Sequence, residues 1–156
     1  MAAGGLEVLG AVVAIIEVID LGMAVARKLC AFCRDAKAAN ESMKGLSIDV
    51  TLTCAILSDL AKVMKKDKVV KFTPKSAFEI AEKVIQESKV VFENIRLVIE
   101  RQEREAKQNL LQRMAYRITI ASRSHELETL KVNLERLKST VGLMLNVMIL
   151  AGQVRQ

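Results

Sequence analysis

The last third of the chain constrains the fold most strongly. Leu127, Leu130, Leu134, Leu137, Val141, Met144 and Met148 recur at alternating intervals of three and four residues over three heptads. With about 3.6 residues to each turn, a helix puts that spacing on one face, and the resulting seam needs partner helices to cover it. From Val141 to Ala151 nearly every position is apolar, so this end must be enclosed on several sides or bind something. The helix is expected to begin near Ser122 or Ser124.

The same period recurs upstream. Leu6 to Arg34 reads as one long helix, in which Gly10 and Gly22 each weaken the interior by about 1 kcal/mol relative to alanine. Asn40 is a suitable N-cap for a second helix reaching Lys66. Leu46, Val50, Thr53, Leu57, Leu60 and Met64 form its seam, widened by Ile56 and Val63. The stretch Lys65–Lys71 then reads as an exposed connection. Thr73 is expected to cap a third helix with Pro74 in its first position. The buried stripe of that helix is Phe78, Ala81, Ile85, Val91, Phe92, Ile95, Val98 and Ile99, fading into the charged run at 100–105. Residues 109–121 read as a short helix or an ordered connection.

Composition excludes the main alternative. One proline, no tryptophan, one tyrosine and four phenylalanines leave too few turn and aromatic residues for a many-stranded sheet. The expectation is an all-α single domain over residues 1–156. Its architecture would be a four-helix bundle of long helices with room for a short additional helix.

Charge is unevenly placed. The formal net charge is +6, yet residues 1–26 contain no Lys or Arg and three acids, Glu7, Glu17 and Asp20. Two readings stay open: separate jobs for an apolar, acidic start and a basic body, or a buried first helix in a basic protein. Lys62, Lys65, Lys66, Lys68, Lys71 and Lys75 fall within fourteen residues. Such a cluster attracts anionic lipid at about 1 kcal/mol per residue near the surface. It can also be an ordinary lysine-rich loop. Aromatic interleaving and a reading-helix motif are both missing, so no nucleic acid is expected.

The residues of an enzyme are hard to assemble here. His125, the only histidine, falls beside Arg123 and Glu126 at the expected start of the last helix. No acid–base pair can be nominated, and neither common phosphate-binding glycine loop occurs. No catalytic residue, cofactor, metal or small-molecule substrate is expected. Cys30 and Cys33 match C-x-x-C, but they lie within a helical pattern and lack a second Cys/His pair. Core or interface thiols are the favoured reading. Three cysteines without a secretory n-region suit a reducing, cytoplasmic setting.

Two segments carry a family resemblance. LEVLGAVVAIIEVIDLG, from Leu6, resembles the apolar first helix of the fungal N-terminal domains found on STAND proteins, the NOD-like receptors of fungi. NLERLKSTVGLMLNVM, from Asn133 to Met148, resembles the last helix of the same HeLo-like group, and Val50–Ile99 agrees in pattern. The resemblance implies a helical domain that signals or executes programmed cell death in innate immunity or heterokaryon incompatibility. Its partners would be further copies, other helical domains and anionic membrane lipids, with membrane association on activation. In that scheme Leu6, Glu7, Leu9, Val12, Val13, Ile15, Ile16, Glu17, Ile19 and Asp20 belong to a membrane-inserting helix. The other helices are expected to cover its apolar face at rest, with Leu6, Val13 and Val25 on a lipid-compatible side away from the acids. Without the nucleotide-binding module and repeats of a receptor, the chain reads as an excised domain or a stand-alone relative. A non-membrane adaptor that recruits partner helices is the alternative.

Overall fold

The computed structural model describes residues 5–35, 41–106 and 110–153, with side chains placed for 6–34, 43–104 and 126–153. It is all-helical: α1 (Gly5–Asp35), α2 (Glu41–Met64), α3 (Asp67–Phe72), α4 (Lys75–Ala106) and α5 (Leu110–Gln153). The four long helices surround one core in the cyclic order α1, α2, α5, α4, so that α1 and α5 lie across a diagonal.

Side-chain contacts fix the directions. Cys54 Sγ points at the Ile19 carbonyl and Cys30 meets Ser47, so α1 and α2 are antiparallel. Lys75 pairs with Glu7 and Lys28 with Glu100, so α1 and α4 run in parallel. Arg101 faces Glu126, and Val90 and Val91 line one cleft with Arg136 and Leu137, which makes α5 antiparallel to α4. One end of the molecule therefore collects the start of α1, the end of α2, α3, the start of α4 and the end of α5.

The expected seams point inward. Every seam position of α2, every stripe position of α4 and every heptad position of α5 is buried, and Leu57, Phe92, Leu134 and Met148 are almost wholly enclosed. Two buried hydroxyls are satisfied within their own helices: Thr53 donates to the Asp49 carbonyl at 2.7 Å and Ser88 to the Val84 carbonyl at 2.8 Å. Such bonding back by one turn allows a polar residue in an apolar interface without a partner from another helix. Gly22 is buried where α1 passes close to α2 and α4. A Cβ there would overlap Cys54 Sγ and stand 2.7 Å from Phe92 Cε2. The second glycine of α1, Gly10, faces open space.

Three local expectations are corrected. The lysine-rich stretch is not a plain connection: residues 67–72 form α3, which buries Val69 and lies against α5. The close approach is at Gly152, where an added Cβ would come within 3.1 Å of Val69 Cγ2. Thr73 does not cap α4. Its N–H donates back to the Val69 carbonyl at 2.9 Å and closes α3, and its Oγ1 is buried without a hydrogen-bond partner. The Pro74 carbonyl opens α4 instead, just outside its first residue, accepting from the Ala77 N–H at 3.0 Å and the Phe78 N–H at 3.4 Å. Finally, residues 110–121 are neither a separate helix nor a connection, because α5 runs unbroken for 44 residues. With no glycine or proline between Leu110 and Val141, nothing in that stretch ends a helix. His125 consequently lies inside α5, not at its start, and its side chain falls outside the described residues, as does the expected cap Asn40.

Candidate functional site

α1 is the one helix among the described residues that is long and apolar enough to cross a membrane, with a mean hydropathy of 2.3 over its best window. Only 39% of that window is buried. The ten residues expected to form a membrane-active unit divide by their place on the helix. Val12 and Ile15 are buried with Val8, Val18, Val25 and Leu29, and Ile19 packs on the edge of the core. Leu6, Leu9, Val13 and Ile16 face outward, and Leu6 is 87% exposed. The helix is amphipathic in position although it is apolar on both sides.

The expectation of a covered apolar face thus holds for the inner half only. Glu7, Glu17 and Asp20 are exposed, and the lipid-compatible side is not separate from them. At 100° per residue, Leu6 and Val13 fall between Asp20 and Glu17, whereas Val25 is fully buried.

All six lysines of the cluster are exposed. Lys62 lies in the last turn of α2, Lys65 and Lys66 precede α3, Lys68 and Lys71 are on it, and Lys75 opens α4. Lys75 Nζ stands 3.4 Å from Glu7 Oε1, which joins the cluster to the start of α1. Lys71 lies over the Phe72 ring, 5.5 Å from its centroid. Beside them a cleft of about 270 Å³ opens between α3 and α5, with Lys66 and Lys68 at its rim and Val69 and Ile149 among its apolar lining. The end of the molecule that exposes Leu6 and Leu9 therefore also gathers the lysines and the exposed Leu150. The chain matches no family model, no curated protein and no solved structure.

Two of the three thiols are held toward the protonated form. Burial pushes the Cys54 thiol up to about 11. Burial, and then its neighbour Cys30, also raise Cys33. Cys30 is exposed and shares a hydrogen bond of 3.1 Å with Ser47. The Cys30–Cys33 pair sits at the opposite end of α1 from the lysines. Among the described residues, no group of three or more His, Cys, Asp and Glu side chains is placed to hold a metal.

The apolar run from Val141 to Ala151 is not enclosed on all sides. Leu143, Val147 and Leu150 form an outward strip on α5, 63%, 38% and 65% exposed. The signal was present in the run from Val141 to Ala151, which has more apolar residues than a single buried face can use.

Proposed function

We propose that this chain is a HeLo-like helical signalling domain of the fungal NOD-like receptor type, a four-helix bundle with one short extra helix. It works by assembly and membrane targeting and catalyses nothing. The observation that carries the reading is the shared end: exposed aliphatics of α1 and six exposed lysines lie at the same end of the molecule. An end that exposes both aliphatic and cationic side chains suits an anionic bilayer surface, with the lysines on headgroups and the leucines entering the interface. The resemblance of Leu6–Gly22 and Asn133–Met148 to that group supports the same conclusion.

Energetics make α1 a conditional element. Val8, Val12, Ile15, Val18, Val25 and Leu29 are buried, and at about 1.5–3 kcal/mol each their release into water would cost roughly 9–18 kcal/mol. That is comparable to the whole stability of a typical domain. Insertion of one copy fares little better. Eleven Leu, Ile and Val residues between Leu6 and Ala26 return about 0.3–0.6 kcal/mol each at the bilayer centre, against about 2.5–3.5 for each of three acids. A lone α1 therefore stays in the fold. Clustered copies can turn Glu7, Glu17 and Asp20 toward one another or toward water, where intramembrane acids are tolerated.

Deleting residues 1–26 would remove core as well as site, so point changes on the outer face are the cleaner test. Val13→Glu with Ile16→Glu, at half-exposed positions, should leave the thermal melt nearly unchanged and abolish flotation with vesicles containing acidic phospholipid. It should also abolish toxicity on expression in yeast. Unchanged flotation and toxicity would refute the membrane reading. The adaptor alternative, a bundle that recruits partner helices, draws on the depth to which α1 is built into the core, and it predicts partner capture without vesicle binding.

A further inference from the structure

α1 and α5 occupy opposite corners of the fold, so their outer faces point away from each other. Each outer face carries an apolar strip in its half nearest the lysine end. On α1 the strip is Leu6, Leu9, Val13 and Ile16; on α5 it is Leu150, Val147 and Leu143. Moving away from that end, each strip is continued by a charge one heptad further on. Asp20 follows Val13 on α1, and Arg136 precedes Leu143 on α5. Both are exposed, and neither forms an ion pair among the described residues. The two faces carry opposite charges at matching places along their strips.

Their heights agree to within about two turns of helix. Gly22 packs on Phe92, and α1 and α4 are parallel, so Asp20 stands level with Val90. Val90 and Val91 line one cleft with Arg136 and Leu137. Asp20 and Arg136 are thus at similar height on opposite sides of the molecule. Read through α2, where Asp49 meets Lys138, α5 is shifted by roughly a turn or two, the kind of stagger that tilted neighbouring helices produce. A neighbouring copy need slide only by that amount to bring the strips together.

We propose that copies of this chain pack side by side in one orientation, α1 of each copy seated antiparallel on α5 of the next. Leu6, Leu9 and Val13 meet Leu150, Val147 and Leu143, and Asp20 pairs with Arg136. The two faces differ, so the contact is heterologous and leaves one free face at each end of any short assembly. It propagates into a ring if the rotation closes and into an open row if it does not. Every lysine cluster then points to the same side, and many weak charge contacts act on one surface at once. The contact itself follows from the two faces; only its value to the cell rests on the membrane reading above.

Variants that remove one face each provide the test. Leu9→Glu spoils the α1 face and Val147→Glu the α5 face, both at exposed positions where folding, followed by circular dichroism, should be kept. The intact chain should sediment as species larger than a dimer that grow with concentration, in solution or, by cross-linking, on vesicles of acidic phospholipid. Each variant alone should be monomeric. An equimolar mixture should give one-to-one dimers, because each variant keeps the face the other has lost. Asp20→Arg and Arg136→Asp should each weaken assembly at least tenfold, and both changes in one chain should restore it. A chain that stays monomeric both in solution and on vesicles overturns the proposal. So does a Val147→Glu chain that still dimerises, a mixture that stays monomeric, or a double exchange that restores nothing. Assembly without vesicle binding would refute the membrane reading and leave this contact standing; vesicle binding by monomers alone would do the reverse.

Discussion

Alanine at Gly10 and at Gly22, the two interior glycines of α1, should have opposite effects, although both stand inside the same helix. Glycine in a helix interior is less favourable than alanine by roughly 0.5–1 kcal/mol, because it gives up more backbone freedom on folding. At Gly10 nothing lies within 4 Å of an added Cβ, so Gly10→Ala should realise that gain. For a chain of this length it corresponds to a melting temperature higher by roughly 1–4 °C. At Gly22 the same methyl overlaps Cys54 Sγ and crowds Phe92 Cε2 at 2.7 Å. Phe92 is fully enclosed in the core and has no room to retreat. Overpacking of this kind costs about 1–3 kcal/mol, which offsets the propensity gain and leaves Gly22→Ala less stable than the parent by up to roughly 2 kcal/mol. Calorimetry or chemical denaturation of the two variants side by side reads the difference. A second substitution sharpens it: Cys54→Ala removes the sulfur and should recover part of the loss in the Gly22→Ala background while destabilising the parent. If Gly22→Ala stabilises as much as Gly10→Ala, the close approach of α1 to α2 and α4 is wrong.

Other outcomes follow from the same packing. Leu134→Ala and Leu137→Ala, at core positions on α5, should each cost about 2–5 kcal/mol, and an unchanged melt would refute the packing of α5 on its neighbours. Replacing Lys65, Lys66, Lys68 and Lys71 by glutamine should leave the fold intact and weaken binding to acidic vesicles. At about 1 kcal/mol per lysine near the surface, the loss is roughly two to three orders of magnitude at low salt, and it should shrink as salt screens the charges. Thiol alkylation at neutral pH should proceed in the order Cys30, Cys33, Cys54. Burial raises the last to about 11 and leaves almost no thiolate, so rapid labelling of Cys54 in the folded chain would contradict its place in the core.

How much could be read from the sequence varied with the contrast between the faces of each helix. On α4 and α5 apolar residues alternate with charged ones, so the period by itself identified Phe92, Ile95, Leu134 and Val141 as core. On α1 that contrast is missing. Ile15 and Ile16 are adjacent and chemically identical, yet one is fully buried and the other is 44% exposed, and only the positions of α2 and α4 separate them. α3 was missed because six residues are too few to show a period, and Val69 is the only residue in it that is buried. The lysines were recognised as a cluster from their spacing. Their meeting with Leu6 and Leu150 at one end is a property of topology, which a linear pattern does not contain.

The hydroxyls of Thr53 and Ser88 each bond to a carbonyl one turn back on their own helix. A core held together by polar keys between helices would fix one arrangement and penalise every other, since parting the helices would strand donors and acceptors. Thr53 and Ser88 take their partners with them when their helices move. A helix drawn out of this fold exposes hydrocarbon but leaves those two hydroxyls satisfied, and helices in lipid commonly meet the same requirement. Much of the interior is thus specified by shape, and a change of surroundings from protein to bilayer asks little new of these groups.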